Sequence, residues 1–120
     1  MIKKVLVLED EKDIREIIGL ILKDAGYLVS SSALAKDFFL QIDTFCPDLI
    51  ILDIALPDGD GREICKALKS NKRTLHIPVI IISAHPAVAN IVKEVGADDF
   101  LAKPFDIDEL AEHVRIKISA

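Results

Sequence analysis

Three runs in this chain are apolar at every position: Val5–Leu8, Leu49–Leu52 and Val79–Ile82. A strand with one wet face alternates apolar and polar side chains, so short uninterrupted runs read as strands buried on both faces. The β segments so placed are Lys4–Leu8, Leu49–Asp53 and Val79–Ser83, and two weaker runs, Tyr27–Ser31 and Asp99–Ala102, make the set up to five. That pattern leaves few folds open, because strands covered on both sides need helices on both sides.

The intervening segments supply them. Ile14, Ile17, Ile18, Ile21 and Leu22 recur at helical spacing and end at Ala25-Gly26, which predicts an amphipathic helix with a glycine stop. Ala33–Phe45, Gly61–Ser70, Val88–Val95 and Asp106–Lys117 read as further helices, the last with Ile107, Leu110, Ala111, Val114 and Ile118 on one face. The order is (βα)5. Right-handed crossovers between parallel strands then give a three-layer α/β sandwich in which all five strand C-termini meet along one side, where such sheets carry their functional crevice.

The 120 residues are the size of one domain, and 51% apolar with 29% charged residues excludes a disordered chain. No apolar run approaches the length of about 20 residues that spans a bilayer. Met1-Ile2-Lys3-Lys4 followed by Val5–Leu8 starts like a signal peptide, but Glu9-Asp10-Glu11 breaks the apolar run, so a cytoplasmic protein is expected. Cys46 and Cys65 lack the companions a zinc site needs and read as reduced thiols. A net charge of −5 argues against direct nucleic-acid contact, which depends on Lys and Arg neutralising phosphates.

Polar groups end four of the five strands: Glu9-Asp10 after the first, Asp53 after the third, Ser83 after the fourth, and Lys103-Pro104-Phe105 after the fifth. Together with Leu56-Pro57-Asp58-Gly59-Asp60-Gly61, Ser83-Ala84 and Gly96-Ala97-Asp98-Asp99-Phe100-Leu101, these residues resemble the response-regulator receiver family of two-component signalling over essentially the whole chain. The resemblance implies a flavodoxin-like sheet of strand order 2-1-3-4-5. It implies one receiver domain over residues 1–120, without an output domain, acting as a signalling switch that catalyses only its own phosphoryl transfer and dephosphorylation.

Three carboxylates crowded into one crevice repel by roughly 4 kcal/mol for a pair at ~4 Å and intermediate dielectric, so they call for a cation. Mg²⁺, with Mn²⁺ as substitute, suits oxygen donors and leaves positions for phosphate oxygens. By resemblance Asp53 is the phosphoacceptor; Asp10, Asp53 and the backbone carbonyl of Ala55 hold the metal, with Glu9 acting through a water. Lys103 and Ser83 would contact the phosphoryl oxygens, and Ser83 with Phe100 would form the switch. The donor would be a histidine kinase or histidine phosphotransfer protein, and the target another protein.

Simpler readings stand beside several of these. Glu9 suits a helix N-terminus, Phe100 a core, Pro104 a helix start in place of the family's cis Lys-Pro bond, and His85 the surface in place of a site that controls water access. Glu11 and Asp13 read as helix-dipole partners, and His76 and His113 as exposed and unpartnered. Phe100 has no hydroxyl where the family commonly has Tyr, which leaves only a steric coupling. Ser83 to Gly96 is shorter than in many members, so a weak dimer through the fourth helix, fifth strand and fifth helix need not take the usual geometry. Three other functions fit the residues less well. A haloacid-dehalogenase-like phosphohydrolase lacks its second Asp because that position is Ala55; a flavin carrier would meet repulsion from Glu9-Asp10-Glu11; and a degenerate receiver acting as a binding module would have no use for Asp10, Asp53, Ser83 and Lys103 together.

Overall fold

The computed structural model describes residues 1–119. Its elements are β1 (Lys4–Leu8), α1 (Lys12–Asp24), β2 (Leu28–Ser32), α2 (Ala35–Phe45), β3 (Leu49–Asp53), β4 (Ala55–Leu56), β5 (Gly59–Asp60), α3 (Gly61–Ser70), β6 (Val79–Ser83), α4 (Val88–Val95), β7 (Asp99–Ala102) and α5 (Ile107–Ser119). Five strands form one parallel sheet in the order β2-β1-β3-β6-β7, which is the expected 2-1-3-4-5 order and a flavodoxin-like fold. The short antiparallel pair β4–β5 was not anticipated; two residues on each side carry no periodicity to read.

Successive residues of each central strand face opposite layers, and the two layers hold separate cores. Leu6, Leu8, Leu52 and Ile81 pack with Phe38, Ile64 and Ile91 beneath α2, α3 and α4. Val5, Val7, Ile51 and Ile80 pack with Ile18, Leu22 and Val114 beneath α1 and α5. β3 and β6 are buried at every residue, which explains their unbroken apolarity. Among the described residues no helix is long and apolar enough to cross a membrane.

Several limits differ from the expected ones, each for a local reason. β2 lies one residue later than expected; it is an edge strand with Leu28 exposed, so burial does not mark its ends. α2 begins at Ala35 and not Ala33, because Leu34 is extended and the Asp58 carboxylate from the β4–β5 turn accepts the N–H groups of Ala35 (2.7 Å) and Lys36 (3.3 Å). These bonds, led by that from Ala35, hold Asp58 below the ordinary carboxylate range. α1 ends as expected, with Gly26 at φ 96° in the left-handed region that glycine adopts without a steric penalty. α5 starts at Ile107 and runs to Ser119, with the Asp106 carboxylate accepting the Glu109 N–H at 2.7 Å. His113 corrects an expectation: it is partnered, with Nδ1 2.6 Å from Oδ2 of Asp99.

Candidate functional site

The sheet brings the polar strand ends together. Glu9 and Asp10 follow β1, Asp53 ends the neighbouring β3, Ser83 ends β6, and Lys103 follows β7. Carboxylate oxygens of Glu9, Asp10 and Asp53 all lie within 4.8 Å of one another. Glu9 and Asp53 are buried, at 0% and 5% exposure, while Asp10 stands at the surface.

Lys103 binds this group from the side. Its Nζ donates a 3.0 Å hydrogen bond to Asp53 Oδ2, and lies 2.6 Å from Glu9 Oε1 and 3.6 Å from Glu11 Oε1. The Lys103 ammonium is the one contact of this buried oxygen among the described residues. Oε2 accepts the Glu11 N–H at 3.2 Å. Burial pushes Glu9 up to about 7 from its ordinary 4.5; Lys103 pulls the other way, and Asp53 adds to the rise. Burial acts to lower Lys103, but the two carboxylates outweigh it and raise its ammonium above the usual lysine range.

The remaining expected residues surround this centre. Ser83 is buried, its Oγ accepts the His85 N–H at 2.9 Å, and its carbonyl accepts the Lys103 N–H at 2.9 Å, which ties the β6 and β7 ends together. Ala55 is exposed in β4 and lines a 570 Å³ cleft with Asp10, Pro57, Arg62 and His85. Phe100 is half-buried against the core beneath α2, α3 and α4. The Lys103–Pro104 bond is cis.

Two neighbours escaped the sequence reading. Glu11, read only as a dipole partner, faces Lys103. Gly61 starts α3 directly against the end of β3, donating its N–H to the carbonyl of the next residue, Ile54, at 2.7 Å. The signal was Gly61 within Asp58-Gly59-Asp60-Gly61, but a glycine in a turn does not say which backbone it approaches. The donors of the centre are all hard oxygens, and three carboxylates within 4.8 Å of one another face a single ammonium among the described residues, so the residues present fit a small divalent cation such as Mg²⁺.

Residues 5–115 match the family model of the response regulator receiver domain. The chain belongs to the response regulator receiver family. This receiver is 38% identical over 116 residues to the KDP operon transcriptional regulatory protein KdpE of Escherichia coli, covering 95% of this chain and 50% of that protein. It spans about half the length of the curated relatives it matches, several of which are transcriptional regulators. Among solved structures, a response regulator of Chloroflexus aurantiacus superposes with TM-score 0.94 at 30% identity, covering 100% of both chains. The chemotaxis response regulator CheY4 of Vibrio cholerae gives 0.89 at 28% identity, covering 97% of this chain and 98% of that one. The receiver is thus a part of two-component signalling, a signalling domain and not a conventional enzyme.

Proposed function

We propose that this receiver accepts a phosphoryl group on Asp53 in a Mg²⁺-dependent step, from a histidine kinase or histidine phosphotransfer protein in the cytoplasm. The observation that carries the reading is the pairing of Lys103 with a buried Asp53 inside a cluster of three carboxylates. Asp10 and Asp53, with the Ala55 carbonyl, would hold the metal, and Glu9 would assist through a water. When bound, the cation offsets the negative charge of the carboxylates and of the incoming phosphoryl oxygens.

Asp53 supplies the nucleophile: a carboxylate oxygen forms the new O–P bond as the P–N bond to the donor imidazole breaks, and the imidazole leaves with a proton. Water later cleaves the acyl phosphate. Lys103, already an ammonium against Asp53, turns to the phosphoryl oxygens without a change of protonation. Ser83 would exchange its contact with the His85 N–H for donation to the phosphoryl group, and Phe100 would follow by packing alone. These differential contacts bias the receiver between two conformations, which a partner protein reads at the face formed by α4, β7 and α5. A weak dimer would use the same face, in a geometry set by α4, which has only 8 residues.

The test is intact mass after incubation with acetyl phosphate and Mg²⁺. A phosphate-sized gain that disappears with chelator and in Asp53→Asn is the expected result. No gain in the wild type, with no binding of beryllofluoride, overturns the reading in favour of a phosphorylation-independent binding module.

A further inference from the structure

Arg15 occupies the first turn of α1, where its own N–H makes a helix bond to the Glu11 carbonyl at 2.9 Å. Its side chain turns back over the loop it has just left. Nη1 donates to the carbonyl oxygens of Glu9 at 2.9 Å and of Asp10 at 3.3 Å. Among the described residues Arg15 makes no ion pair, although Glu16 lies beside it. A guanidinium that binds two successive carbonyls, and no carboxylate, acts on backbone geometry.

The two carbonyls belong to the residues that bring two of the three clustered carboxylates. Glu9 is also held by its side chain, through Glu11 and Lys103. Asp10 has no such support: among the described residues its carboxylate accepts no hydrogen bond and forms no ion pair. Its place therefore depends on the peptide units on either side of it, and both of the carbonyls that Arg15 holds belong to those units.

We infer that Arg15 is a positioning residue for the divalent-cation site, setting the Asp10 carboxylate by clamping the backbone between β1 and α1. The inference rests on the reading of the acid cluster as a Mg²⁺ site. It also makes a prediction opposite in sign to simple charge. A fixed positive charge near a divalent-cation site repels the ion, so on Coulomb's law its removal tightens binding. On positioning, removal weakens binding, by roughly tenfold if the two hydrogen bonds together favour the binding geometry by ~1.4 kcal/mol.

The test is Mg²⁺ titration of the wild type, Arg15→Ala, Arg15→Gln, Asp10→Asn and the Arg15→Ala/Asp10→Asn double variant, followed by amide NMR, which also reports that each variant is folded. The expected result is that both Arg15 variants bind Mg²⁺ roughly tenfold more weakly than the wild type, and that Arg15→Ala has little further effect once Asp10 is Asn. Unchanged or tighter binding in the Arg15 variants overturns the inference and leaves the metal site standing. So does an equal loss in the Asp10→Asn background, which would mean that Arg15 does not act through Asp10. A wild type that shows no Mg²⁺-dependent shifts overturns the metal site itself, and this role with it.

Discussion

A β-carbon on Gly61 would stand 2.1 Å from the carbonyl oxygen of Asp53 and 2.7 Å from the α-carbon of Ile54. The obstacle is backbone, which cannot turn aside as a side-chain tip can. Helix α3 therefore starts against the residue proposed as acceptor, and no residue but glycine fits without moving one or the other. Gly61→Ala is expected to cost about 1–3 kcal/mol in urea unfolding, as overpacking usually does, and to slow modification by acetyl phosphate. Gly59→Ala is the control. Its new carbon would meet only the Ala35 side chain at an ordinary 3.6 Å, so stability and modification should stay near wild type.

Lys103 is the one ammonium in contact with Glu9, Glu11 and Asp53 among the described residues. Replacing it with Gln leaves two buried carboxylates facing each other. Without metal at pH 8, the variant should lose about 3–5 kcal/mol of unfolding free energy, the usual cost of removing one partner from a buried ion pair. Adding Mg²⁺ should return more stability to the variant than to the wild type. Equal gains would show that Lys103 does not act as the counter-ion of this cluster.

Glu9 gives the metal-free protein a pH dependence of known sign. With its folded value at about 7 against an ordinary 4.5, the folded state holds the proton more tightly than the unfolded chain does. Its stabilising contribution is complete below pH 4.5 and is lost as the pH rises through 7. A cation competes for the same group, so it binds better where that proton has left. The rise in melting temperature produced by Mg²⁺ should widen between pH 5 and pH 8; a constant rise would remove Glu9 from the account.

The two thiols should separate cleanly. Cys65 is fully buried in the core beneath α3 and α4, where burial pushes its thiol up to about 11, while Cys46 is exposed. A disulfide reagent at neutral pH should titrate one thiol in the folded protein and both after denaturation. Rapid reaction of both in native buffer would contradict the packing described.

Much of this was legible because continuous apolarity is a burial signal, and β1, β3 and β6 are the strands with helices on both sides. β2, at the sheet edge with Leu28 exposed, gives no such signal and was read one residue early. The start of α2 could not be read locally, since its cap is Asp58, 23 residues from Ala35. Four site positions could be placed from the sequence because a parallel sheet sends every strand C-terminus to the same side. Their contacts could not: nothing near Glu11 announces Lys103, and nothing near His113 announces Asp99.

The hydrogen bond between Lys103 and Asp53 joins residues 50 apart in the chain. On a ribosome, all three carboxylates emerge, and β1 can pair with β3, before the ammonium does. A nascent receiver thus carries its acid cluster without the Lys103 ammonium, and an unpaired Glu9 resists burial in that state. Placement of β7 is the event that brings the ammonium to the centre, so a chain stalled before residue 103 should hold a sheet whose acidic corner is still open to water.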